Sequence, residues 1–137
     1  MPEYILQRDG QPPLIFEGEI LTESVGDRDF FYGHDLRIYQ IPSGKLVLEI
    51  VYFDNYKTKG GKPAGPNHFY AYAGGPHALQ NRLREHRERI DEIVVGPIPN
   101  TDPGGKRRAA LVRRIVGEYD AQVGQLLDHV VFAEEID

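Results

Sequence analysis

The sequence predicts an α+β fold, an antiparallel meander of about five strands followed by two helices packed on one face of the sheet. Three observations carry this reading. Period-two alternation and turn pairs dominate the first half of the chain, while apolar stripes at helical spacing dominate the second. Strands grouped first and helices second suit helices segregated to one sheet face rather than alternating crossovers. At 137 residues, with 40% hydrophobic and 27% charged, the chain fits one globular domain spanning 1–137.

The elements follow in order. Tyr4 to Gln7 alternates weakly and ends at Asp9-Gly10, a strong hairpin pair. Leu14 to Leu21 reads as one strand, with Phe16, Gly18 and Ile20 on one face and Glu17 and Glu19 on the other. Gly18 inside it signals a bulge or a close neighbour. Ser24 to Asp35 is polar, aromatic and irregular, and reads as a loop. Leu36 to Ile41 and Leu46 to Phe53 form a hairpin about Pro42-Ser43-Gly44, with Pro at the first turn position and Gly at a positive φ. Leu46, Leu48, Ile50 and Tyr52 line one face of its second strand. The run 57–66, rich in Lys, Gly and Pro, reads as a flexible loop. His68 to Ala73 is the fifth strand, with His68, Tyr70 and Tyr72 on one face and Phe69, Ala71 and Ala73 on the other.

Gly74-Gly75-Pro76 stops that strand and sets Pro at a first helical position. Leu79, Leu83, His86, Ile90 and Ile93 then recur every three or four residues, an apolar stripe interrupted by one histidine. Val94 to Thr101 is a connector, with a short edge strand expected at Ile93 to Val95, and Asp102-Pro103 suits the cap of a second helix. From Arg107 that helix is clear: Val112, Ile115, Val116, Tyr119, Val123, Leu126, Leu127 and Val130 share one side. Residues 133–137 read as an acidic, solvated tail.

Composition narrows the chemistry. With no cysteine, the chain has no disulfides, thiolate nucleophiles, iron–sulfur clusters or cysteine zinc sites. Met1 to Gly10 has no apolar core of signal-peptide length, and no apolar run approaches ~18 residues, so a cytoplasmic protein without a membrane partner is expected. The net charge of −5 hides a layout that is acidic to Tyr56, basic from Lys57 to Arg114 and acidic again to Asp137. A basic middle segment of this kind can meet an anionic partner, or simply be an arginine-rich helix surface.

No catalytic motif stands out, so no catalytic residue and no cofactor is assigned. The five histidines lack zinc-pair spacing, so no metal site is expected. His86, on its apolar stripe, reads as a satisfied, half-buried histidine, and His129 as a residue near a helix C-terminus that suits the dipole. Asp27, Asp29 and Asp35 lie close to His34 and read as turn formers before acid–base partners. A small anion could be held by His34, Arg37, Lys57, Lys59 and Lys62. The same lysines follow Tyr52, Phe53 and Tyr56, an interleaving that suits single-stranded nucleic acid, although no ribonucleoprotein signature accompanies it. Gly117, Ala121 and Gly124 form a small-residue strip opposite the apolar stripe of the last helix, open to a helix of this chain or of a second copy. The leading expectation is a non-enzymatic binding or regulatory domain that contacts a protein or itself. A small enzyme on an anionic substrate and a nucleic-acid accessory protein are the alternatives.

The block Arg8-Asp-Gly-Gln-Pro-Pro-Leu-Ile-Phe-Glu-Gly-Glu-Ile-Leu21, followed by Leu36-Arg-Ile-Tyr-Gln-Ile-Pro-Ser-Gly-Lys-Leu-Val-Leu48, is similar to the EXLDI-type family of uncharacterised bacterial small proteins. That family shares a comparable strand–turn–strand block and an acidic end. The resemblance covers about a quarter of the chain; it implies a bacterial origin and carries no residue role.

Overall fold

A computed structural model describes residues 1–55, 60, 66–94 and 105–136, with side chains through residue 128. Six strands precede two helices: β1 (Glu3–Arg8), β2 (Gln11–Glu17), β3 (Glu19–Ser24), β4 (Tyr32–Gln40), β5 (Leu46–Asp54), β6 (His68–Gly74), α1 (Pro76–Ile93) and α2 (Lys106–Ile136). The strands pair antiparallel, in a two-stranded sheet β1-β2 and a four-stranded sheet β3-β4-β5-β6. The α+β class holds, with the helices after the strands.

The expected strand Leu14–Leu21 is two strands in two sheets, and the break falls at Gly18. A Cβ there would lie 2.6 Å from the carbonyl oxygen of Gln40. Only a residue without a side chain lets the chain pass so close to the end of β4 while changing sheets. The hairpin turns behave as their residues dictate: Gly10 and Gly44 have φ of 69° and 92°, open to glycine at no steric cost. The loop read at Ser24–Asp35 is shorter than expected, because β4 begins at Tyr32 and runs nine residues against β5.

Alternation along β4 and β5 divides the core. Leu36, Ile38, Leu46, Leu48, Ile50 and Tyr52 face the helices and pack with Leu79, Leu83, Ile90, Ile115, Tyr119 and Leu126. α1 lies over β5 and β6, and α2 over β3 and β4. On the opposite face Tyr39, Val47 and Ala71 pack with Leu6, supported by Tyr4, Leu14 and Phe16 of the β1-β2 hairpin. That outer face is covered along one stretch by a third layer. Tyr4, Phe16 and Tyr39 meet there as an aromatic triplet with ring centroids 4.6–5.5 Å apart. At the hairpin turn, the Asp9 amide donates to Phe69 O (2.8 Å) and the Asp9 carboxylate accepts from the Phe69 amide (3.1 Å).

The apolar stripe of α1 lies where its periodicity put it, with Leu79, Leu83, His86 and Ile90 buried. Val94 closes α1 as its C-cap, so Ile93 is helical rather than the start of an edge strand. The Arg108 guanidinium donates to the carbonyls of Asp91 and Val94, satisfying acceptors that a helix end leaves open. α2 continues through Ile136, so the acidic end expected as a tail is helical to that residue, and His129 stands before the last turn. The Asp102-Pro103 cap and nearly all of the run 57–66 lie outside the described residues.

Candidate functional site

The densest chemistry is a buried imidazole pair. His34 comes from the helix-facing side of β4 and His86 from the stripe of α1, and they are 1% and 4% exposed. Their Nε2 atoms are 2.9 Å apart, so one ring donates to the other. His34 Nδ1 has no hydrogen-bond partner among the described residues. A bare lone pair is cheaper to bury than an orphaned N–H, which assigns the shared proton to His34 Nε2 with His86 Nε2 accepting. Tyr52, Tyr70 and Tyr119 wall the pair, with ring centroids 4.9–5.4 Å from one or both imidazoles. The Tyr119 hydroxyl donates to Leu83 O at 2.6 Å.

Burial sets the protonation of this cluster. It lowers His34 well below its ordinary value, with the His86 ring adding to the effect. It lowers His86 to about 4, helped by the positive charge of Arg89 and by His68. The phenols of Tyr52 and Tyr119 are pushed up, chiefly by desolvation. Both imidazoles are therefore neutral near neutral pH and closed off from solvent. Among the described residues no three His, Asp or Glu side chains could hold a metal ion together. The arrangement ties β4 to α1; it does not offer a substrate an open base.

Of the expected anion-binding set, the two described members are not brought together. His34 and Arg37 lie on opposite faces of β4, because three positions of a strand reverse the side-chain direction. Arg37 stands in a row across three strands, opposite both Glu23 and Glu49 in the register. Its Nε donates to Glu23 at 2.9 Å, and its Nη1 lies 3.6 Å from Glu49, which also accepts the Tyr39 hydroxyl at 2.7 Å. Its charge is committed within the fold. Lys57, Lys59 and Lys62 lie outside the described residues. His68 is bonded to Asp9 at 2.7 Å, at the joint between hairpin and sheet. In the small-residue strip, a Cβ on Gly117 or Gly124 would meet nothing within 4 Å. Ala121 borders a shallow cleft with Ser24–Asp27, bridged where Gln122 donates to the carbonyls of Ser24 (3.2 Å) and His34 (2.9 Å).

The surface holds a second feature. Along β1 and β2, Tyr4, Leu6, Leu14 and Phe16 turn inward, and Ile5 and Ile15 turn outward, directly opposite each other. These isoleucines are 62% and 61% exposed. An antiparallel ribbon wet on one face alternates apolar and polar residues. This one is apolar on both faces at its centre, the pattern of strands covered on both sides. Beside the pair, Glu3 and Glu17 stand opposite each other and both are exposed, a like-charge pairing that costs stability. The signal was present in the runs Tyr4-Ile-Leu6 and Leu14-Ile-Phe16, which do not alternate.

No protein-family model matches the chain, and no curated protein or solved structure gives a significant match. No helix among the described residues is long and apolar enough to cross a membrane.

Proposed function

We propose that the chain is a non-catalytic binding domain that contacts a protein through the outer face of the β1-β2 hairpin. One observation carries the reading: the hairpin has the sequence of a ribbon buried on both sides, and its own fold covers only one. A cross-strand isoleucine pair is a contiguous apolar contact, unlike isolated surface aliphatics that need no explanation. Its rim is acidic at Glu3 and Glu17, which fits a partner surface with an aliphatic centre and basic flanks. The histidine cluster supports the reading from the other side, since the richest chemistry of the chain is closed and tied to packing.

Selection of displayed peptides on the immobilised chain tests this directly. Enriched peptides should place aliphatic residues between Lys or Arg, and should lose at least tenfold in affinity for the double variant Ile5→Asp, Ile15→Asp. The variant should keep the parent's far-ultraviolet spectrum, because neither side chain packs on the core, while its thermal midpoint falls by the cost of two carboxylates set directly opposite each other. Peptides that bind parent and variant equally, or a selection with no enrichment, would overturn the assignment.

A further inference from the structure

The two helices leave a groove between them, and we infer that it binds a small amphiphile, a short apolar tail carrying one carboxylate. The groove lies in the helix layer, across the sheet from the hairpin, so the inference is independent of the binding reading above. Its volume is about 320 Å³, at the small end of ligand pockets. Its walls differ in chemistry because the helices present different rows to it. On α2, Val123 and Leu127 stand four residues apart on the apolar stripe, and both are only half-buried. On α1 the bordering row is Gln80, Arg84 and Arg87, each one position past a buried residue of the stripe that meets the sheet. Leu83 and the Tyr119 ring, both buried, close the groove from below.

Charge selects the head group. The Arg87 guanidinium is committed, since its Nε and Nη2 donate to the two Asp120 carboxylate oxygens at 2.7 and 3.1 Å. That pair bridges the helices and closes one end of the groove, which suits a short free molecule better than an extended segment of another chain. Arg84 is exposed and has no ion pair among the described residues; it donates only to Asn81 Oδ1, at 3.4 Å. One unanswered cation therefore stands beside two half-covered aliphatic side chains. A neutral head leaves Arg84 as it is, and a cationic head is repelled by it. A carboxylate can take both prongs of its fork while the tail covers Val123 and Leu127.

Titration of the full chain with octanoate, octanol and octylamine, one tail under three heads, reads this out through amide chemical shifts. Octanoate should move Leu83, Val123 and Leu127 with a dissociation constant on the order of 1 mM, the scale for about ten heavy atoms. Octanol should bind roughly fivefold more weakly, and octylamine more weakly still. Arg84→Glu, on an exposed side chain, should reverse the order in favour of octylamine. Val123→Phe fills the groove and should abolish binding of all three while the far-ultraviolet spectrum is kept. The double variant Ile5→Asp, Ile15→Asp should bind octanoate as the parent does, so the groove and the hairpin stand or fall separately. Absence of groove shifts at octanoate several-fold above that constant overturns the inference. So do equal affinities for the three heads, or an order that survives Arg84→Glu. Groove shifts that grow with protein concentration in the absence of octanoate would give the groove to a second copy, and overturn it too.

Discussion

The single proton between His34 and His86 makes each ring the other's only solution. Replacing one, as in His34→Leu or His86→Leu, strands a buried imidazole nitrogen, at about 1–3 kcal/mol. Replacing both strands neither imidazole in a site already walled by Tyr52, Tyr70 and Tyr119, so the double variant should lose much less than the sum of the singles. Urea denaturation of the four proteins gives the coupling directly. Additive losses would mean that each histidine is held by its own surroundings rather than by its mate. The half of this that was legible in the sequence is instructive. His86 on an apolar stripe reads as buried from periodicity alone, but its partner is 52 residues away on another element. Spacing along a chain carries no information about which two faces will meet.

Among the elements, the informative contrast is between three glycines. Gly18 joins β2 to β3 against the Gln40 carbonyl, and Gly117 and Gly124 stand on an open face of α2. Gly18→Ala forces a backbone shift and should cost roughly 1–3 kcal/mol, as overpacking does. Gly117→Ala and Gly124→Ala relieve a helix of a poor former and should each stabilise by up to ~1 kcal/mol. Thermal melts separate the two classes by sign. A loss at Gly117 or Gly124 would show that something packs on the strip that the chain itself does not supply. β5, β6 and the faces of both helices were readable because an apolar face recurs along each, whereas the first half of β4, Tyr32–Asp35, is buried on both sides without alternation and read as loop. The division at Gly18 was not, because alternation continues through it: Phe16, Gly18 and Ile20 keep their period while the chain leaves one sheet for the next. Arg37 misled for a related reason, since proximity to His34 in sequence is opposition across a strand.

For the whole molecule the buried pair predicts acid lability with a defined sign. Both imidazoles have folded values below the ordinary 6.5, His86 at about 4. Below pH 6.5 the unfolded chain takes up protons that the folded chain refuses, so stability is fully present above 6.5 and falls as pH drops toward 4. Each ring contributes a slope of up to about 1.4 kcal/mol per pH unit in that window. The groups around the pair, Arg89, His68 and the three tyrosines, keep the same sense, since Arg89 and His68 oppose protonation and tyrosines do not ionise there. Denaturation midpoints at pH 7, 6 and 5 should decline for the parent and flatten for His34→Leu, His86→Leu. An equal decline in both proteins would place the lability elsewhere.

The strand order has a consequence in time as well as in space. Among the described residues every strand pairs only with its neighbour in sequence, β1 with β2 and β3 through β6 in succession. Each pairing therefore closes a short loop and loses little chain entropy before it is rewarded. The exception is the seam at Asp9 and Phe69, where partners 60 residues apart fasten the hairpin to the edge of the sheet. By loop closure alone such a contact is expected to form after the pairings within β3-β4-β5-β6, as are the contacts of α2 with β3 and β4 at separations of 88 to 101 residues. Opening of the hairpin with the rest intact is the expected outcome, to be checked by amide hydrogen exchange of β1 and β2 against β4 and β5. Lifting it bares Tyr39, Val47 and Ala71 on the sheet and Leu6 on the ribbon in one event. A cover that seals the ribbon from outside would slow that opening, and the lifetime of the native state would be set there.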